Sequence, residues 1–376
     1  MCADWSVSRG DLGNTGSTPA AGPTADPELR WHHDAGSRVF GTPLVVGDRV
    51  YVGTCAQGGD LGCAVGIDRE RGERAWMSGY DAMEVRGTPA VAGGRLYLVD
   101  LDGLFYVFDL ADGTVLESTD SPRATPADGI CPLVSEGTVY THNHFLEARD
   151  ATSLAVRWET TGSRRFEEPV ALDGTTLFAV GRGSPEERER LGQTDSDGSA
   201  PLVLRTPFVT ALDVETGTPR WETGVEGIPR APAVVDDTVY VPTEKRVYAL
   251  DAETGAERWS TPIPSPARSM PAVDGEYVCV GTKDGRLLVL DATTGERLWE
   301  RTVNDDTDYL GVWSSPTIAG DAVYVGTEDG HLLALYLHTG EELWRFQTEA
   351  AVSSNPSVVD GVVYVADDAG IVYALG

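Results

Sequence analysis

Lysine is nearly absent from this chain: of 29 basic residues only Lys245 and Lys283 are lysines, and 59 acidic residues give a formal net charge of −30. The acid is spread along the sequence rather than gathered in a tail, so it reads as a solvated surface. Such a surface repels nucleic acid and anionic membranes over long range. No apolar run approaches the roughly 20 residues of a membrane span. No stretch holds the 3.6-residue period of an amphipathic helix. A phosphate-cradling loop, a Ser-His-Asp set and a paired-carboxylate arrangement are all unassignable. Asparagine occurs only at Asn14, Asn143, Asn304 and Asn355, and no two of the five cysteines are adjacent.

What the chain does have is a phrase, a-x-D-a-x-T-G-x-x-x-W, with a small or apolar residue at each a. Its clearest copies run Ala211 to Trp221, Ala249 to Trp259 and Val289 to Trp299, and weaker ones end at Trp76, Trp158 and Trp344. Repetition at roughly 40-residue spacing means one supersecondary unit stacked many times. Each unit buries its apolar face only against its neighbours, so the array forms one domain.

Each unit opens with a proline-led strand, as in TPLVVGDRVYVGT from Thr42, CPLVSEGTVYTHN from Cys131 or SPTIAGDAVYVGT from Ser315, and there are eight such openings. Alternating apolar residues flank Gly-Asp, Asp-Gly and Gly-Gly turns, the mark of antiparallel hairpins. A second turn, a third strand, the T-G turn and a Trp-bearing strand complete the unit. Four strands per unit make a propeller blade. The Asp before the turn accepts backbone N–H groups, the Gly supplies φ > 0, and the Trp packs flat between blades. Trp31, Trp76, Trp158, Trp221, Trp259, Trp299 and Trp344 are therefore read as docking residues.

The fold class is all-β, an eight-bladed β-propeller of four-stranded antiparallel blades. The blades fall at about 38–79, 84–119, 127–161, 165–223 with an insertion at 181–206, 227–261, 266–301, 311–347, and 351–376 plus 27–33. The last unit stops at Gly376, where its Trp strand should begin. The segment around Trp31 supplies that strand and removes both open edges. Glu117 stands where blade two should have its Trp, Leu154 where blade three should have its turn Gly, and Tyr336 where blade seven should have its Asp.

The repeats resemble the pyrroloquinoline-quinone (PQQ) repeat family, whose consensus carries the same A-x-D-x-x-T-G-x-x-x-W run. The opening Asp4 to Gly16 also looks like that family's first segment. The resemblance implies architecture, not function, because the family holds both PQQ- and calcium-dependent dehydrogenases and non-catalytic members such as the assembly lipoprotein BamB. This chain lacks the dehydrogenases' large chamber-building insertions, their adjacent cysteine pair and any C-x-x-C-H haem attachment. It is expected on the BamB-like, non-catalytic side, with no cofactor. A PQQ-dependent quinoprotein dehydrogenase is the alternative, and an extracytoplasmic small-anion sensor a second one.

The acidic, lysine-poor composition also resembles that of salt-loving archaea, where molar salt shortens the Debye length to about 3 Å. Met1-Cys2 resembles the lipidated start of a mature lipoprotein, which makes Cys2 a lipidation candidate. An extracytoplasmic monomer anchored through that lipid is expected, with a cytoplasmic location as the alternative.

Loops leading into the proline strands rim the channel. The positions before the prolines give Arg86, Arg230, Arg268, Phe40, Phe166, Glu167 and Trp313, a mouth suited to an anionic ligand or protein partner. The bland alternative is that these arginines pair with carboxylates such as Glu84 and Glu167. Cys55 and Cys63 flank a glycine-rich hairpin, where a disulfide is expected. Cys131 and Cys279 read as buried thiols. His142 and His144 have a metal-binding spacing, but His331 lies too far around the ring to join them, and no metal site is assigned.

Overall fold

A computed structural model describes residues 4–55, 62–80, 85–101, 103–119, 129–161, 164–183, 207–304 and 311–376. Cys2, Glu84 and most of the blade-four insertion lie outside them. Among the described residues there are eight sheets and no helix, hence none long and apolar enough to cross a membrane. Seven sheets have four strands, and blade seven gains a fifth because Ser17–Thr18 pairs in parallel with its innermost strand, Thr317–Ala319.

The strand periodicity explains the core. Central strands such as Arg246–Asp251 and Arg286–Asp291 are apolar on both faces because each blade is covered on both sides by neighbours. Their burial feeds a chain of clusters that pass from blade to blade around the ring. The ring closes as expected: Leu29–Asp34 pairs antiparallel with Ile371–Leu375, placing Trp31 opposite Ala374.

Six of the seven repeat tryptophans, all but Trp344, make two contacts each, a carbonyl and a turn glycine of the next blade. The indole N–H of Trp76 donates to Leu110 O at 3.1 Å, and those of Trp158, Trp221, Trp259 and Trp299 donate to Val214, Ala252, Ala292 and Leu337 of the next blade. Trp31 does the same to Arg69, closing blade eight on blade one. Trp344 has no following T-G turn to meet, and Pro23 of the N-terminal segment supplies its carbonyl at 2.8 Å.

The turn glycine has a second duty besides its left-handed φ. A Cβ on Gly113 (φ 75°) would fall 2.5 Å from the Trp76 ring. Blade three, whose predecessor lacks the Trp, has Leu154 in place of the Gly. Leu154 keeps the left-handed φ, 57°, and is 3 % exposed, filling space a Trp at 117 would claim. The turn Asp behaves as expected: Asp291 accepts the amides of Thr293 and Thr294 at 3.0 and 2.7 Å.

Two expectations need correction. The insertion does not begin at 181, because Thr176–Arg182 is one strand paired with Pro207–Asp213, so Gly181 and Arg182 belong to the blade. The Cys55–Cys63 disulfide is not formed, and both residues are buried thiols. Register is the reason. Gly53 opposes Ala64, and Thr54 N donates to Cys63 O at 2.8 Å, so Cys63 shares a face with Thr54. Cys55 is one residue further on and points to the other face, where its Sγ donates to Val85 O.

Candidate functional site

The site is built on the inner edges of the blades. Each innermost strand presents N–H groups to the central channel, and an unpaired edge is costly. Residues 5–18 meet that need. Trp5 exchanges both backbone hydrogen bonds with Val45. The carbonyls of Ser6, Leu12, Gly13, Thr15 and Gly16 accept from Val91, Leu172, Val234, Val273 and Ile318, at 2.7–2.9 Å. The opening segment therefore threads the inner edges of six blades.

Arg9 anchors it. The side chain is wholly buried, and its guanidinium donates to the carbonyls of Pro271 at 3.1 Å, Ser315 at 3.3 Å and Pro316. Desolvation lowers its pKa to about 9, which leaves it charged at neutral pH. Thr42 Oγ1 donates to Ser8 O at 2.9 Å, and Asn14 Nδ2 to Pro232 O at 2.8 Å. Nothing in the composition signalled this role for Arg9; the signal available was the lone basic residue in an otherwise polar and small opening segment.

Above this segment lies a cavity of about 510 Å³, with Ser8 in its lining. Six of the seven residues expected at the mouth line it: Phe40, Arg86, Glu167, Arg230, Arg268 and Trp313. Phe166 does not. It is 2 % exposed and packs edge-to-face on Phe208, ring centroids 5.8 Å apart. Its backbone pairs with that of His144, which turns the ring into the core and leaves Glu167 and Glu168 to the channel.

The arginines are held in two ways. Arg268 lies over the Trp313 ring, 4.5 Å from its centroid, and Arg86 lies 5.8 Å from that of Phe40. These contacts fix the planar guanidinium by cation–π attraction. Arg230 is fixed by hydrogen bonds, Nη1 to Glu168 Oε1 at 3.1 Å and Nε to Ala267 O at 3.2 Å. Glu168 Oε2 also accepts the Ala231 amide at 3.2 Å. Burial raises the Glu168 pKa, against the opposing pull of Arg230. Glu167 pairs with Arg182, with His144 Nδ1 at 3.9 Å. Glu168, Arg182 and His144 were not expected at the mouth. Glu168 stands next to the proline rather than two or three before it, and Arg182 was hidden in the expected insertion.

The histidine pair is split by the fold. His142 is fully buried in Thr138–Asn143, accepts from Cys131 N through Nε2 at 3.3 Å, and has its pKa lowered by burial to about 3. His144 occupies the turn beyond (φ 60°) and faces the cavity. Cys131 also borders the cavity, and Cys279 is a fully buried thiol. Among the described residues no three His, Cys, Asp or Glu side chains gather to hold a metal ion. The two mouth carboxylates are each engaged by an arginine, so they do not fit a calcium-held quinone, and no chemistry is routed through one.

Comparison with solved structures returns the same architecture. The chain superposes on the quinohemoprotein alcohol dehydrogenase from Comamonas testosteroni with a TM-score of 0.79 at 17 % identity, covering 99 % of this chain and 80 % of that one. It superposes on a europium-containing methanol dehydrogenase with 0.74 at 15 % identity, covering 100 % and 98 %. BamB from Moraxella catarrhalis gives 0.69 at 20 % identity, covering 93 % and 98 %. At these identities the likeness is one of fold alone. No curated relative matches the chain at a significant level. The sequence profile described as outer membrane protein assembly factor BamB matches residues 20–182 and 206–374, and the chain belongs to that PQQ-repeat propeller family.

Proposed function

We propose that the protein is a non-catalytic binding propeller that engages a partner protein at the channel mouth, through an anionic group presented to its arginines. The observation that carries this is the concentration of Arg86, Arg182, Arg230 and Arg268 around one cavity in a chain of net charge −30. Two of them are stacked on aromatic rings, which orients their N–H edges for carboxylate or phosphate. Ser8 of the opening segment adds a hydroxyl to the cavity lining. An extracytoplasmic setting with a lipid on Cys2 belongs to this reading, and loss of membrane association on Cys2→Ser checks it.

The test is calorimetric titration with a Glu/Asp-rich peptide at fixed ionic strength. Binding is expected in the wild type and at least about tenfold weaker after Arg86, Arg230 and Arg268 are replaced by Ala. Equal affinity overturns the reading. Titration with PQQ, with and without calcium, is the companion measurement. Saturable calcium-dependent stabilisation would restore the oxidoreductase alternative.

A further inference from the structure

The tandem Glu167-Glu168 divides itself between two arginines, and the two halves are not equivalent. Glu167 leans outward to Arg182 and His144. Glu168 holds Arg230 with one oxygen and the Ala231 amide with the other, so both acceptor oxygens are used on the blade-five loop. Arg230 is pinned from behind by Ala267 O. Its guanidinium thus has Nε on the fold and Nη1 on Glu168, in a side chain that lines the cavity together with Glu168. Both are only partly exposed, 21 % each, so their attraction is weakly screened by solvent.

We propose that Glu168 is a built-in competitor for the anion seat on Arg230, so that the mouth binds oxyanions weakly while Glu168 is ionised and tightly once it is neutral. The inference rests on the anion-binding reading above and adds its regulation. An incoming oxyanion meets Arg230 beside a fixed negative charge a hydrogen bond away, and like charges in a partly dry site repel strongly. Neutral Glu168 keeps its shape, removes the repulsion and leaves Arg230 in need of a counter-charge.

The other charged or titratable groups around Glu168 are Arg165, Arg182 and Glu167 from blade four, His144 and Cys131 from blade three, and Arg86 and Arg268 across the cavity. Burial raises the Glu168 pKa, against the pull of Arg230, so its neutral form gains population as pH falls. His144 and Glu167 also border the cavity, so each needs its own control.

The experiment uses sulfate, which stays a dianion throughout, titrated into the whole chain at constant ionic strength from about pH 8 to about pH 5. Wild-type affinity is expected to rise by about tenfold as pH falls. Glu168→Gln is expected to bind more tightly than the wild type at about pH 8, with a flat profile. His144→Asn should keep the wild-type profile, and Glu167→Gln should leave the pH dependence in place. A Glu168→Gln profile parallel to the wild type overturns the competitor role while leaving the mouth as an anion site. A pH dependence that vanishes with His144→Asn does the same. No sulfate binding to the wild type or to Glu168→Gln at any pH overturns the inference, and failure of the acidic peptide as well overturns the anion-binding reading beneath it. If Glu168→Gln fails to fold, the wild-type and His144→Asn profiles still decide the matter.

Discussion

Trp313 is the one aromatic among the described residues left largely exposed, at 45 %, and it carries Arg268 on its face. Phe166, expected in the same role, is a core residue. The two therefore make opposite predictions. Trp313→Ala is expected to weaken acidic-peptide binding by about tenfold or more while shifting stability by under about 1 kcal/mol. Phe166→Ala is expected to cost about 3–5 kcal/mol of stability and leave the affinity of the folded fraction unchanged. Paired denaturation and calorimetry would separate them, and a Phe166→Ala protein of native stability would contradict its placement. The mouth positions were legible because the blade register repeats, so a fixed offset from each proline finds them. Which neighbour faces the cavity was not legible: a single local backbone pairing, Phe166 with His144, decides it. The same one-residue logic separated Cys55 from Cys63. Intact mass of the non-reduced protein should show both as thiols, and a loss of about 2 Da assigned to that hairpin would restore the disulfide.

At the level of the blade, the repeating phrase works as a set of coupled positions rather than a list of preferred residues. The turn Gly is small because the preceding blade's Trp lies on it, so the two should change together, as Glu117 and Leu154 do. Glu117→Trp alone is expected to destabilise, because the ring would meet Leu154. Glu117→Trp with Leu154→Gly is expected to recover most of the loss, giving a coupling of about 1–3 kcal/mol in a double-mutant cycle. Additive effects would mean the seam between blades two and three is packed in some other way. The turn Asp carries a pH signature. Asp251 accepts from Thr254 N, Thr254 Oγ1 and Arg258, and the Arg258 bond first of all lowers its pKa from 3.8 to about 2. A carboxyl whose folded pKa is depressed contributes stability above its unfolded pKa and loses it as pH falls through the folded one. The gap in denaturant midpoint between wild type and Asp251→Asn should be full above about pH 5 and close as pH drops from 3.8 toward about 2. A gap independent of pH would assign the Asp251 contribution to packing alone. The eight-blade count and the ring closure were legible at this scale because hairpin period, turn residues and the missing last strand agree with one another. The channel segment was not, since its partners are backbone N–H groups that leave no mark in the sequence.

On the scale of the whole ring, two opposing terms act. A net charge of −30 repels itself across the surface, and that repulsion is long-ranged and screened by salt. The contacts that join the blades are mostly apolar or made between buried backbone groups, so salt touches them little. Arg9 is the sharpest case. One buried guanidinium bonds carbonyls of blades six and seven from a segment that also pairs with blades one, two, four, five, six and seven. Arg9→Met keeps the bulk and removes the donors, leaving three carbonyls short of a partner, at an expected loss of about 2–4 kcal/mol. Raising KCl from about 0.1 M to about 2 M should lift the unfolding midpoint of the wild type, because the Debye length falls from about 10 Å to about 2 Å. It should lift Arg9→Met by the same increment without closing the gap between them, since the lost bonds are buried and unscreened. Convergence of the two proteins in high salt would mean that Arg9 acts by offsetting surface charge, and that the segment across the channel is held by other contacts.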